Sequence, residues 1–257
     1  MLLCPGYKSG NTTIESIKHS VRNEPLTSMS EDDVLRLIEQ AVIDNRLPPG
    51  TKLKEVQLAE VFGVKRGTIR KVLARLAHSK LVDQLPNRGA SVARPSVKEG
   101  RDLFAARRAI ERANLEILIQ RISAEQISQL RQMLEQEQQA YHRGDIRLAV
   151  SLSVKFHQRI ASMAGNTVLK DYLDDIIKRT PLVILTHLGS EIDNRCRNQE
   201  HEAIVDAIAK GDTEAAVLIM DQHLAHIEDQ IATKPDKPQF DLASLLLSGH
   251  SPGADNA

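Results

Sequence analysis

The sequence predicts a mainly α-helical protein in two parts: three helices closed by a β-hairpin, then an all-α helical bundle. Three observations carry this. Of 257 residues, 41% are hydrophobic but only 3% aromatic, with no Trp. A composition rich in Leu, Ile, Ala, Glu, Gln and Arg favours helices packed on helices. Apolar residues recur at three- and four-residue intervals through most of the chain. The only two strand-like runs lie before Pro95, and nothing after it reads as a strand. The length suffices for two small cores.

The elements follow in order. Residues 1–28 are polar and without period, and are expected to be a flexible extension. From Ser30, the apolar set Val34, Leu35, Ile38, Ala41 and Val42 marks a first helix, broken by Asn45-Arg46-Leu47-Pro48-Pro49-Gly50. A short helix around Val56 to Phe62 stops at Gly63. A third runs from about Arg66 to His78, with Ile69, Val72, Leu73 and Leu76 on one face. Leu81–Leu85 and Ala90–Ala93 read as two strands joined by Pro86-Asn87-Arg88-Gly89. After Pro95, Ser96 with Glu99 forms a capping box that opens the bundle. The helices expected there are 97–121, 123–142, 145–164, 166–188, 190–210 and 213–232. Pro181 should kink or interrupt the fourth. The implied units are 1–28, a 29–95 head, a 96–233 body and a 234–257 tail.

Charge separates the two parts. The net charge is zero, yet residues 64–94 hold eight Lys or Arg against one acid, whereas 96–257 hold 19 against 24. A basic segment on an acidic remainder suggests a head for a polyanion, although a solvated basic helix face gives the same count. Cys4 and Cys196 make no disulfide framework or metal pair, and the opening MLLCPGYKSG lacks the features of a secretory signal. No apolar stretch approaches the ~20 residues that cross a bilayer. A reduced, cytoplasmic protein with no membrane partner is expected.

The conjunction in the head is more specific than its charges. A short helix, a tight turn at Gly63, a basic helix and a Gly-tipped hairpin are the parts of a winged helix-turn-helix, whose second helix enters the major groove of duplex DNA. Leu58 and Ala59 would pack the first helix and Val64 would plug the turn. Arg66 and Arg70, four apart, share a face, so one guanidinium can take a guanine edge while another clamps phosphate. Arg88 and Gly89 would form the wing tip. The expected DNA contacts are Lys65, Arg66, Thr68, Arg70, Lys71, Arg88 and Gly89.

The segment LPPGTKLKEVQLAEVFGVKRGTIRKVLARLAHSKLVDQLPNRGASVA resembles the winged-helix head of the GntR transcriptional regulators, over about residues 34–94. The chain departs from that pattern in places. Lys65 stands where the family usually has Ser, and Gly67-Thr68 where Thr-Pro is frequent. Val56 stands where these regulators often carry a basic contact residue, so that contact is absent.

In the body, geometry singles out three histidines. His201 and His223 flank the break at Gly211-Asp212, about 11 residues to either side of Asp212. In an antiparallel helix pair, such residues sit at one height. His157, on an earlier helix, can reach the same layer. Three imidazoles at ~2.0–2.1 Å would hold Zn²⁺ or a similar ion and leave a position open. Ordinary core or surface histidines are the competing reading.

The runs Arg107-x-x-Ile110-Glu111, Phe156-His157, Gly165-Asn166, Glu200-His201-x-x-Ile204-x-x-Ala207-Ile208-x-x-Gly211-Asp212 and Met220-x-x-His223 resemble the FadR-type C-terminal domain (FCD) of GntR regulators, a helical effector-binding and dimerisation domain. The resemblance implies a divalent cation, Zn or Ni, on His157, His201 and His223, with a small carboxylate effector at or beside it. The family's carboxylate ligand, one turn before His157, is Ser153 here. Arg107 matches the arginine that faces the effector. Ser153 and Asn166 are further candidates for the pocket, although Asn166 after Gly165 also reads as a helix cap. Arg108 is expected to be solvated, and His226 and Glu200 to point away by helical phase.

The resulting expectation is a homodimeric, DNA-binding repressor that holds a pseudo-palindromic operator and answers to a small-molecule effector. The same regulator with a metal-free pocket is the alternative. A metal-dependent hydrolase is a distant one, since no HExxH-like motif supplies a general base.

Overall fold

The computed structural model describes residues 29–85, 89–188 and 194–232. Helix α1 (Glu31–Ile43) opens on a capping box in which Ser30 Oγ accepts from Asp33 N and Asp33 reaches back to Ser30 N. Strand β1 (Lys52–Leu53), α2 (Glu55–Phe62) and α3 (Arg66–His78) follow, then β2 (Val82–Leu85) and β3 (Gly89–Val92). Between α2 and α3 the chain turns through Gly63 at φ +63°, a left-handed conformation that glycine adopts without steric cost. The hairpin register pairs Val82 with Val92 and Leu85 with Gly89. Strand β1 adds an edge that two residues could not announce as a period: Lys52 pairs with Ser91 and Leu53 with Ala90, giving the antiparallel order β1-β3-β2.

The anticipated apolar faces meet in one core. Val34, Ile38, Leu58, Phe62, Ile69, Leu73, Leu76 and Val92 are all buried there. Leu182 joins the same cluster from the body, so the two parts share a packed residue.

The body comprises α4 (Val97–Ile119), α5 (Ala124–His142), α6 (Ile146–Ala164), α7 (Thr167–Ile177), α8 (Thr180–His187), α9 (Asn194–Lys210) and α10 (Thr213–Ala232). The capping boxes at Ser96 and Ser123 are present. The helix expected over 166–188 is two helices. Pro181 lacks the N–H that a continuous helix would need, and it sits at the start of α8, where that N–H is not missed. Helix α4 runs through the middle of the bundle, packed on α6, α7 and α10, while α9 packs on α5 and α10. Phe104, Leu115, Leu118, Phe156, Ile160, Ile204 and Leu224 lie in its core. Among the described residues, no helix is long and apolar enough to cross a membrane.

The two parts are also tied by polar contacts. Lys178 Nζ donates to Glu39 Oε1 of α1 at 2.8 Å, and Ser151 Oγ to Asp44 Oδ1 at 3.0 Å. The segments 1–28, 86–88 and 233–257, with the expectations for the extension, Arg88 and the tail, lie outside the described residues, as do the side chains of Arg195 and Arg197.

Candidate functional site

The antiparallel turn at Gly211-Asp212 places His201 and His223 at one level, as their equal spacing from it predicts. Their Nε2 atoms face each other at 3.2 Å. His157 arrives from α6, with its ring centroid 5.2 Å from that of His201 and 5.4 Å from that of His223. One donor atom from each of the three lies within 4.8 Å of the others, and all three residues are buried. Phe156 closes one side, its ring 4.7 Å from His201.

Behind each imidazole stands a carboxylate. Glu111 meets His157 Nδ1, Glu137 Oε2 lies 2.9 Å from His201 Nδ1, and Glu200 Oε2 lies 2.8 Å from His223 Nδ1. A carboxylate accepts, so each Nδ1 carries the proton and each Nε2 presents its lone pair inward. His157 Nε2 is buried with no hydrogen-bond partner. Three lone pairs thus converge where water is excluded, an arrangement that a cation resolves. Around a tetrahedral ion with ~2.0–2.1 Å bonds, neighbouring nitrogens stand roughly 3.3 Å apart, close to the observed His201–His223 separation. The donor set and its orienting carboxylates fit a divalent ion.

Electrostatics agree with that protonation. Burial pushes His157 down to about 4, helped by Arg107 and His201 and opposed by Glu111, so the ring is neutral at pH 7. Burial would raise Glu111, but Arg107 and His157 outweigh it and hold the carboxyl at about 2.

Arg107 is buried beside this centre. Its Nε donates to Glu111 Oε1 at 2.7 Å and its Nη1 to Thr180 Oγ1 at 3.3 Å, while Nη2 has no partner. Asn114, two turns beyond Arg107, is buried with both amide atoms unpartnered, as is Glu137 Oε1. Asn114 and Glu137 were not named from sequence, and Glu111 only as part of the Arg107-x-x-Ile110-Glu111 run and not as a site residue, yet a signal existed. Along α4, Phe104, Arg107, Glu111, Asn114 and Leu118 keep one helical period, and along α5 so do Leu130, Leu134 and Glu137. Polar residues standing in an apolar stripe mark a polar chamber inside a core.

Asn166 takes the cap reading: its Oδ1 accepts from Leu169 N at 3.1 Å at the start of α7, because the chain restarts a helix there. Two expectations are corrected. Glu200 does not point away: it meets His223 Nδ1 and also His226, since it stands nearly level with both across the α9–α10 pair, while His226 itself is 60% exposed and lies outside the centre, as expected. Arg108 is not merely solvated; it pairs with Glu228 of α10 and lies 3.5 Å from Asp221. Ser153 is half-buried and stands where expected, one turn before His157 on α6.

In the head, Arg66 and Arg70 project from one face of α3, both toward the same oxygen of Glu55, at 3.6 and 2.8 Å. Both are well exposed, as are Lys65 and Gly67 at the start of the helix, and Thr68 is half-buried. Lys65 occupies the N-cap position without a side-chain cap, as expected for a cation in place of a hydroxyl. Lys71 lies on another side, 3.9 Å from Glu31 of α1. Gly89 is exposed at the hairpin with nothing within 4 Å of where a Cβ would stand. Val56 is 47% exposed beside the basic face.

Residues 31–92 match the model of the gntR family of bacterial regulatory proteins, and residues 102–226 match the FCD domain. The chain belongs to the GntR family. It is 30% identical over 232 residues to the HTH-type transcriptional repressor NanR of Citrobacter rodentium, covering 81% of this chain and 88% of that one. It is 26% identical over 208 residues to the repressor RspR of Escherichia coli, with 80% and 90% covered. A putative GntR regulator from Rhodococcus shares the fold at a TM-score of 0.71 and 23% identity, over 79% of this chain and 97% of that one. The E. coli protein McbR/YncC does so at 0.68 and 20%, over 79% and 99%. This GntR-family chain is therefore a DNA-binding transcriptional regulator with an FCD domain and not an enzyme, and the hydrolase reading of the histidines falls away.

Proposed function

We propose that the chain is a homodimeric, cytoplasmic repressor that binds a pseudo-palindromic operator through residues 29–95 and releases or grips it according to a small organic carboxylate held in residues 96–233. The carboxylate would sit at a divalent ion, Zn or Ni, carried by His157, His201 and His223. The observation that carries this reading is the convergence of three carboxylate-backed imidazoles, whose inward lone pairs no described protein donor satisfies in the case of His157. An ion there would act as Lewis acid for the effector's carboxylate, and the free Nη2 of Arg107 with the Asn114 amide would orient that group. Ser153 lies near enough in sequence to His157 to complete the polar lining.

In the head, Arg66 and Arg70 would read base edges, while Lys65, Thr68, Lys71, Arg88 and Gly89 would hold the backbone. Two copies would present two such helices to two half-sites.

A route from chamber to head supports the regulatory reading. His157 bonds Glu111, Glu111 bonds Arg107, and Arg107 bonds Thr180 at the start of α8. Two residues before Thr180, Lys178 pairs with Glu39 of the head, and two residues after it Leu182 enters the head's core. An effector that shifts Arg107 would favour one head placement only if it binds that arrangement better.

The test is operator binding by fluorescence anisotropy, using promoter fragments flanking the protein's own gene, after chelation and after Zn²⁺ or Ni²⁺ is restored. Binding of one ion per chain, seen by elemental analysis and lost in His223→Ala, is expected. In the metal-free alternative, His201 and His223 share a proton across their 3.2 Å gap, and chelation changes nothing.

A further inference from the structure

A second cavity lies away from the histidine centre, at the seam between head and body. It has a volume of about 320 Å³ and takes walls from both parts: the loop before β2, the Ala93-Arg94-Pro95 connector, α4, and the α7–α8 junction. Three cations line it, Lys80, Arg94 and Arg179; Lys80 stands near enough to Glu99 to help hold its carboxyl low, which leaves the two arginines as the cations open to a ligand. Arg179 Nε is buried and without a hydrogen-bond partner. An orphaned guanidinium N–H bordering a cavity is a donor waiting for an acceptor.

Arg94 packs over the backbone of Gly50 opposite. Its guanidinium lies where a Cβ on Gly50 would be, 2.2 Å from Nε, and Gly50 sits at φ +83°. Only glycine allows both the conformation and this approach. The acids on the rim are largely engaged: Glu99 accepts from Ser96 in the cap of α4, and Asp102 pairs with Lys98 at 2.6 Å, leaving Asp83 exposed. Leu103, Ile176 and Val183 supply an apolar wall.

We propose that this cleft is a second ligand site, for an amphipathic organic anion. Its acidic group seats on Arg179 and Arg94, and its apolar body lies against Leu103, Ile176 and Val183. The volume is at the small end of ligand pockets, so the occupant is a compact molecule, one or two rings or a short branched chain. Because the walls belong to both parts, occupancy fixes the head against the body. The site is independent of the histidine centre, and this inference stands whether or not that centre holds metal.

The test uses naphthalene-2-sulfonate, a two-ring aromatic sulfonate that fits this size, titrated into the full chain by isothermal calorimetry. Saturable binding of one molecule per chain is expected. Arg179→Gln and Arg94→Gln should each weaken it about tenfold, one lost charge-assisted contact being worth ~1.4 kcal/mol. Arg179 makes no cap bond and Arg94 is exposed, so neither variant removes a contact on which folding depends, and thermal melts check this. Ala106→Trp, at an exposed position on the rim, should block the probe, whereas His223→Gln should leave its affinity unchanged. The proposal is overturned by non-saturable binding, by arginine variants that bind as the wild type does, or by loss of binding in His223→Gln.

Discussion

Replacing Glu137 by Gln tests whether the carboxylates behind the histidines serve a metal. Glu137 and His201 are both buried, and their 2.9 Å bond is the contact that fixes the His201 tautomer. The amide can still accept through its oxygen, so the ring orientation survives while the negative charge goes. A charge-assisted hydrogen bond is about twice as strong as a neutral one. With a net worth of ~1.5–3 kcal/mol for the charged bond and ~1 for the neutral one, the ring loses ~1–2 kcal/mol of support as a cationic complex forms. At 1.4 kcal/mol per decade, Zn²⁺ affinity should fall about tenfold, within the 10–100-fold range typical of groups that orient a metal's ligands. Glu137 Oε1 has no partner, so the new NH₂ is unmet and the metal-free protein should lose a further ~1–3 kcal/mol of stability. Competition against a chromophoric chelator at pH 7.5 measures the first effect and urea melts the second. A folded Glu137→Gln protein with Zn²⁺ affinity within twofold of the parent would refute the reasoning. Glu200→Gln should cost less, because Glu200 is partly solvated.

The remaining predictions concern other parts of the chain. Arg66→Ala or Arg70→Ala should weaken operator binding by ~1–3 kcal/mol and relax base preference, read by anisotropy on operator variants; unchanged affinity in both would sink the docking geometry. Metal-free protein should lose stability on acidification. An unfolded chain protonates His157 near its ordinary 6.5 but the folded one only at about 4, so stability present above pH 6.5 drains away as pH falls to about 4, by up to about 3 kcal/mol. Glu111, with a folded value of about 2 against 4.5, extends the loss below pH 4.5. A flat urea midpoint between pH 7 and 4.5 would contradict this. Asn166→Ala should cost about 1 kcal/mol as a lost helix cap and leave effector and metal affinity untouched; an altered ligand affinity would return Asn166 to the chamber.

Periodicity and local chemistry made much of the fold legible without coordinates. The faces of α1 and α3, the capping boxes at Ser96 and Ser123, and the turn that levels His201 with His223 are all local signals, set by residues within a turn or two of one another. So was the four-residue spacing that aims Arg66 and Arg70 at one oxygen of Glu55. Strand β1 was not legible, because two residues carry no period and its existence depends on β3. Nor was the role of Asn166, since one amide can serve a cap or a pocket and only its neighbour's N–H decides.

The candidate site divides along the same line. That three imidazoles could share a layer follows from counting along the chain. That each is backed by a carboxylate from another helix, and that Arg107 is spent on Glu111 and Thr180, depends on α4, α5, α8 and α9 converging. A buried charge is tolerated only where its partners are fixed in space. Residues 46 and 64 positions apart become such partners through packing alone.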